Sequence, residues 1–578
     1  MKSAAFFLCL LVLGAAAWGL LAWSIGWLAR WIRDLRTQER PPDEEALPRL
    51  GPLSPVVREA ARMAKDLWEA RGAAEEEAKL RMAGESRWTP ERLKGHVRLI
   101  LRNRPFLVVA NREPYSHIRD GGKIKCVTPA SGLVTAVEPI LQACGGIWVA
   151  SASGDADRET ADEKGRLRVP PDAPTYTLKR VWLTEQEEEG YYYGFSNEGL
   201  WPLCHIAHTR PVFRSEDWEQ YKRVNEKFAE AALEELAGAK EPFVLIQDYH
   251  YALLPRMIRE KRPDAKIALF WHIPWPNPEA FGICPWGKEI LHGMLGADLL
   301  GFHIQFHCNN FLDTVDRLLE SRIDLEQFAV ARGGHRTRVK PFPIGIAPSR
   351  GLTDAPQAVS ARREIMKKLG IQADHLGVGV DRIDYTKGIS ERFRAIARFL
   401  EKYPEYRGKM VFVELAAPSR TSIKSYSDLG TELEAEVERI NQRFQTKTWK
   451  PILFLKQQHN REEIDLFYRV ADFCLITSLH DGMNLVAKEF VGIRSEEQGV
   501  LILSRFAGAS RELRDALLVN PYDIEEVAEA IHDAVTMKPE EQKRRMARMR
   551  AILDEHNVYR WAADITSELA RARPDTSG

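Results

Sequence analysis

No pair of the seven cysteines (9, 126, 144, 204, 284, 308 and 474) forms a Cys-x-x-Cys motif in this chain of 578 residues. That argues against a disulfide scaffold and a cysteine-rich zinc site, and fits free thiols in a reducing compartment. Net charge is missing too: Lys plus Arg is 82 and Asp plus Glu is 82. A balanced chain is a poor nucleic-acid coat. There is no G-x-x-x-x-G-K-[ST], no G-x-S-x-G and no H-E-x-x-H. P-loop, serine-elbow and HExxH zinc chemistries drop out. Gly377-Val-Gly379 opens a dinucleotide fingerprint, but Arg382 stands where its third glycine belongs. Low complexity is absent, and 44% apolar with 28% charged residues describes an ordinary globular mixture. Asp155-Ala-Asp157 has the form of a divalent-ion motif, yet its Ser-Gly-Asp-Ala-Asp-Arg-Glu setting reads as a solvated turn. A lone pair of aspartates offers a cation too few oxygens.

One long apolar run is present. From Ser3 to Ala29 no residue is charged, with Trp23, Trp27 and Trp31 at its end and Arg30, Arg33, Arg36 and Arg40 beyond. This spacing predicts an N-terminal transmembrane helix over about residues 4–29, with the catalytic body in the cytoplasm. A cleaved signal peptide ending at Ala15–Ala17 and a misplaced start are the alternatives. Residues 31–95 read as a charged tether with one solvated helix.

The body alternates short apolar runs with helical stretches. FVLIQ (243–247), KIALFWHIP (266–274), HLGVGVDR (375–382), KMVFVELA (409–416) and ADFCLITS (471–478) are examples of the runs. Runs without polar alternation fit strands buried on both faces, and strand–helix alternation means parallel sheets. A Pro-, Thr-, Asp- and Ala-rich break at 349–361 divides the body. The expected fold class is α/β: two doubly wound Rossmann-like domains facing across a cleft, preceded by the transmembrane helix. The expected divisions are 1–30, 31–95, 96–347, 362–555 and a C-terminal helix and tail at 556–578.

Polar residues cluster just past the apolar runs. In VGVDRIDYTK, Arg382 and Lys387 can converge on one anion, the guanidinium as a fork and the ammonium as a point charge. In LHDGMNLVAKEF a strand runs through a glycine turn into a helix, whose first N–H groups suit a diphosphate. Asp481 is placed to accept from a sugar hydroxyl, and Glu489, two helical turns on, to reach a ribose. Gln247-Asp-Tyr-His250 and Trp271-His-Ile-Pro-Trp-Pro-Asn-Pro278 follow two first-domain runs. Together these clusters point to a phosphate-and-sugar site.

VVANREP, YYGFSNEGLWPLCH, QDYHYALLP, FWHIPWPNPEAF, DRIDYTKGISERF and LHDGMNLVAKEF occur in this order between residues 103 and 560. They resemble the trehalose-6-phosphate synthases, retaining glucosyltransferases of family 20 with the GT-B fold. The resemblance implies metal-independent transfer of glucose, without a cofactor, from a nucleotide-glucose such as UDP-glucose to glucose 6-phosphate. It implies that Arg382 and Lys387 hold the donor diphosphate, with Asp248 and His272 at the reacting sugars. Asp481 would bind glucose hydroxyls, the backbone of Gly482, Met483, Asn484, Leu485 and Val486 the phosphates, and Glu489 the ribose. Gly132 would lie in the loop over the donor. Arg112, Tyr192, Trp201 and Arg420 would bind the acceptor's phosphate and ring. The implied reaction is front-face, the departing phosphate oxygen taking the acceptor proton. A separate phosphatase would consume the product; no nucleic acid is involved, and self-association is left open.

Four positions depart from the family pattern: Ser131 before Gly132, Ser151 where a tryptophan is usual, His480 before Asp481, and His303. Those near the sugar sites bear on the acceptor. A glucosylglycerol-phosphate synthase using glycerol 3-phosphate is the sister reading. An inactive membrane-tethered regulatory protein is the rival of another class.

Overall fold

The computed structural model describes residues 87–102, 104–128, 132–348, 355–370 and 372–572, with isolated positions before them. The expected membrane-spanning helix is not supported: no helix among the described residues is long and apolar enough to cross a membrane. Nearly all of residues 4–29, and most of the tether, lie outside the described residues.

The body holds two large sheets. In the first, seven parallel strands run side by side in the order His335–Pro341, Leu299–Phe302, Lys266–Phe270, Phe243–Gln247, Phe106–Arg112, Ile147–Ser151 and Tyr176–Val181. Antiparallel strands close both edges. Strands 243–247, 266–270 and 299–302 are buried at every residue, as apolar runs covered by helices on both faces must be. The second sheet has six parallel strands in the order Ile452–Leu455, Met410–Ala417, His375–Arg382, Phe473–Ile476, Val500–Ser504 and Leu517–Val519. A helix, Ala355–Lys368, occupies the second half of the expected interdomain break.

The last helix, Val558–Ala570, lies on the first domain. It packs on helices Pro90–Leu101 and Gly132–Cys144, and Trp561 meets Phe270 edge-on at 5.2 Å. Arg338 donates to the Glu568 carboxylate (2.5 Å) and carbonyl (2.7 Å), and Lys340 to the same carboxylate (2.7 Å). Its buried Val558, Trp561, Ile565 and Leu569 contribute roughly 1.5–3 kcal/mol each. The chain therefore crosses between the domains twice. The crossings touch: the Val558 N–H donates to the Ile346 carbonyl (3.1 Å).

Candidate active site

In each sheet the strand order reverses once, beside Phe106–Arg112 in the first and beside His375–Arg382 in the second. Crevices open at strand carboxyl ends at such switch points. Arg112 and Arg382 are the last residues of those two strands. Asp248 and His272 follow the strands ending at Gln247 and Phe270, Arg420 follows Ala417, and Asp481 lies just past Ile476. The topology thus gathers at one cleft the residues singled out from sequence.

On the second domain, Lys387 donates to Asp481 Oδ2 at 2.6 Å. Ser478 and Asn484 donate to the same oxygen. Burial alone would raise the Asp481 carboxyl, but Lys387, His205 and Asn484 bring it down to about 2. Asn484 caps helix Leu485–Ile493, its Oδ1 accepting from the Ala487 N–H. Glu489 faces Arg461 at 2.6 Å, and burial raises its carboxyl against that pairing. Below Arg382 the strand is braced by buried Arg392, which donates to Asp381 (2.7 Å) and Glu414 (2.8 Å).

The other side is built around Tyr192 and Trp201. Tyr192 sits in an unusually wide helix, Glu189–Leu200, with i→i+5 bonding, a form concentrated at functional sites. Burial pushes its phenol up, yet Arg420, Arg112 and Arg382 together hold it below its ordinary range. Three guanidiniums therefore act on this phenol. Arg420 lies over the Trp201 ring at 4.1 Å, and Arg382 at 5.6 Å. Arg420 donates to Tyr426 (2.7 Å) and Asp384 (3.3 Å), and Arg382 lies 3.8 Å from Asp384. Burial opposes ionisation of Asp384, but Arg420, Arg382 and Lys387 keep it lowered. Arg112 is exposed. A bulge between Ala110 and Arg112 sets Arg112 opposite Ser151, the kind of irregularity that re-aims a side chain.

Between the halves, Asp248 Oδ1 accepts from the N–H groups of Tyr249 (2.9 Å) and His272 (3.1 Å). Burial nevertheless lifts this carboxyl to about 7. His272 Nε2–H donates to Gln247 Oε1 (2.7 Å), and burial drops the imidazole to about 3, so it is neutral at pH 7. Asp248, Arg420 and Asn484 adopt positive φ of 75°, 49° and 74°. Such backbone is costly for residues with side chains, and it persists where the surroundings enforce it. A Cβ on Gly482 would meet the His272 carbonyl oxygen and the His303 ring, so only glycine lets the domains approach here. His480 donates to the His205 carbonyl at 2.7 Å, also across the cleft.

Gly132 begins helix Gly132–Cys144; the residues just before it lie outside the described set. Sequence reasoning missed Asp384, Tyr249 and Tyr426, the partners of Arg420. Asp384 was findable, two residues past Arg382 in a strand-end motif; Tyr426 comes from a neighbouring helix and gives no local signal. The reading of Asp155-Ala-Asp157 as a solvated turn fails at Asp157, which is wholly buried. No group of three or more metal-ligating side chains occurs among the described residues.

The family model described as glycosyltransferase family 20 matches residues 104–571. A trehalose-6-phosphate synthase of Mycolicibacterium vanbaalenii is 40% identical over 480 residues, covering 81% of this chain and 96% of that protein. Among solved structures, a trehalose-6-phosphate protein from E. coli bound with UDP-2-fluoro glucose has a TM-score of 0.72 and 32% identity, over 81% of this chain and 100% of that one. An alpha,alpha-trehalose-phosphate synthase (UDP-forming) from Burkholderia xenovorans in complex with glucose-6-phosphate scores 0.69 at 31% identity, over 80% and 99%. With two facing doubly wound domains and a cleft of this composition, the chain belongs to glycosyltransferase family 20 and is a retaining glycosyltransferase.

Proposed function

We propose that the cleft moves glucose, with retention, from UDP-glucose to glucose 6-phosphate and releases trehalose 6-phosphate. The observation that carries this reading is the pair of cationic sets in the cleft: Arg112 and Arg420 acting on Tyr192, with Arg420 over Trp201, and Lys387 with Arg382 beside the start of helix Leu485–Ile493. One set suits a monophosphate and the other a diphosphate. Similar proteins were solved with UDP-2-fluoro glucose and with glucose-6-phosphate.

In this reading Lys387 and Arg382 neutralise the charge that grows on the departing diphosphate, with donors fixed before the reaction starts. The first N–H groups of helix Leu485–Ile493 add the positive end of its dipole. Asp481 releases Lys387 to the diphosphate and turns to the glucose hydroxyls; Glu489 exchanges Arg461 for the ribose. Arg112, Arg420 and Tyr192 hold the acceptor phosphate while Trp201 packs on its ring. Neutral His272, donating through Nε2 to Gln247, keeps Nδ1 as an acceptor for the sugar. Asp248 orients acceptor hydroxyls, and the departing phosphate oxygen takes the acceptor proton. These groups act by positioning and electrostatics.

The test is a product assay on the full chain with UDP-glucose and either glucose 6-phosphate or glycerol 3-phosphate. Products are identified by mass and the new linkage by NMR. An α-linked disaccharide phosphate supports the reading; product with glycerol 3-phosphate alone overturns it.

A further inference from the structure

Asp155-Ala-Asp157 is not used by the transfer reaction, and Asp157 is the member with an unusual environment. It is wholly buried, as are Arg180 and Glu113 within 1%. Asp157 Oδ1 accepts from the His117 N–H (2.7 Å), and Oδ2 from the N–H groups of Ser153 (3.0 Å) and Gly154 (2.7 Å). Glu113 Oε1 accepts from the Ser153 N–H (2.9 Å) and hydroxyl (2.7 Å). Arg180 joins the two carboxylates. Its Nε donates to Glu113 Oε2 (2.8 Å) and its Nη2 lies 2.8 Å from Asp157 Oδ1. Its remaining N–H groups reach the Asp157 and Tyr115 carbonyls, the Thr160 hydroxyl and His117 Nδ1.

These bonds tie residues 113–117 to residues 153–157, the segments that leave adjacent strands at Arg112 and Ser151. Those two residues stand opposite each other in the sheet register. A buried ion cluster is rarely the most stable way to fill a core, because apolar residues of equal volume avoid the desolvation cost. Its directional bonds do fix geometry, and the geometry fixed here is that of the strand end bearing Arg112.

We propose that Glu113, Arg180 and Asp157 form a positioning cluster that holds Arg112 and the Ser151–Gly154 segment in register for the acceptor's phosphate. The inference rests on the reading of Arg112 as an acceptor-phosphate residue. It adds a protonation dependence. Burial, with the nearby Asp157 adding to it, lifts the Glu113 carboxyl to about 7 against Arg180 and Ser153. The groups facing it are Arg180 from strand 176–181, Asp157 from helix 157–160, and His117 and Cys126 from hairpin 116–127. Below about pH 7 the Glu113 hydroxyl can donate to Asp157; above it two carboxylates repel each other across the Ser153 N–H.

The test uses the full chain with Glu113→Gln and Glu113→Ala, read as separate KM values for glucose 6-phosphate and UDP-glucose together with kcat, between about pH 6 and pH 8.5. Glu113→Ala is expected to raise the acceptor KM about tenfold and to leave the donor KM within about twofold. Glu113→Gln, neutral at every pH and still a donor, is expected to match the native enzyme at low pH. It should also lack the rise in acceptor KM that the native chain shows above about pH 7 beyond the acceptor's own titration. An unchanged acceptor KM in Glu113→Ala, or an equal rise for both substrates, overturns the proposal. If Glu113→Ala does not fold, the Glu113→Gln profile decides, and a profile parallel to native overturns it. Calorimetry with inorganic phosphate separates this from failure of the transfer reading. If the native chain makes no disaccharide phosphate, weaker phosphate binding by Glu113→Ala still supports the cluster, and equal binding overturns it.

Discussion

The two halves of the cleft are charged differently. In the proposed reading each donor-side cation already faces a carboxylate: Lys387 with Asp481, Arg382 with Asp384 and Arg461 with Glu489. On the acceptor side Arg112 and Arg420 both act on Tyr192, and Asp384 is the carboxylate near Arg420. A diphosphate entering the first half must compete with the protein's own anions, and each exchange frees a carboxylate for a sugar hydroxyl. A monophosphate entering the second half meets an excess of positive charge at once. In that reading the first half recognises the whole donor through exchange, and the second recognises the phosphate. A chain with zero formal net charge conceals this asymmetry, because composition sums over distances that screening and burial keep apart.

The sharpest way to break the comparison is Lys387→Ala. In the proposed reading it removes a charge from the leaving diphosphate, and turnover is expected to fall about 10²–10³-fold, measured as kcat with both substrates saturating. Arg420→Ala comes next. It should raise the acceptor KM about 10- to 150-fold, the equivalent of about 1.5–3 kcal/mol for a lost charged hydrogen bond, while donor affinity by calorimetry holds. A comparable loss of donor affinity would merge the two halves. Acid stability is a smaller probe. The folded Asp481 carboxyl is lowered to about 2 from 3.8, so its contribution is present above about pH 4 and lost as pH falls towards 2. Asp481→Asn should remove about 2 kcal/mol of that acid-linked slope in denaturant titrations at several pH values. The smallest effect belongs to Ser151→Ala. Among the described residues its hydroxyl meets only the Ala152 carbonyl, at 3.5 Å, so acceptor KM should stay within about twofold, and a larger change would give Ser151 a direct part in recognition.

Much of this architecture was legible in the sequence. Unalternating runs such as FVLIQ could only be strands covered on both faces, and Arg382, Lys387 and Asp481 stood directly after such runs. Less legible were contacts between distant segments. Asp157 reads as solvated because Ser, Gly and Asp favour turns. Its burial depends on Arg180, 23 residues on, and Glu113, more than 40 residues back. The wide helix Glu189–Leu200 escapes because its period matches neither the helix nor the strand pattern. The apolar N-terminal run met the length rule for a membrane span, yet no described helix meets that description.

Two neighbouring crossings between the domains restrict how they can move. Beside the Val558–Ile346 bond, a Cβ on Gly345 would meet the His556 carbonyl, so the strands of chain run almost in contact. Lys488, one residue before Glu489, donates to the Ile344 carbonyl (2.7 Å) and to Glu512 (2.5 Å), which in turn holds His556 (2.9 Å). A single tether would let one domain swivel and slide over the other. Two crossings joined side by side behave as a door hinge, with one axis of easy rotation, and helix Leu485–Ile493 is fastened to the hinge pin.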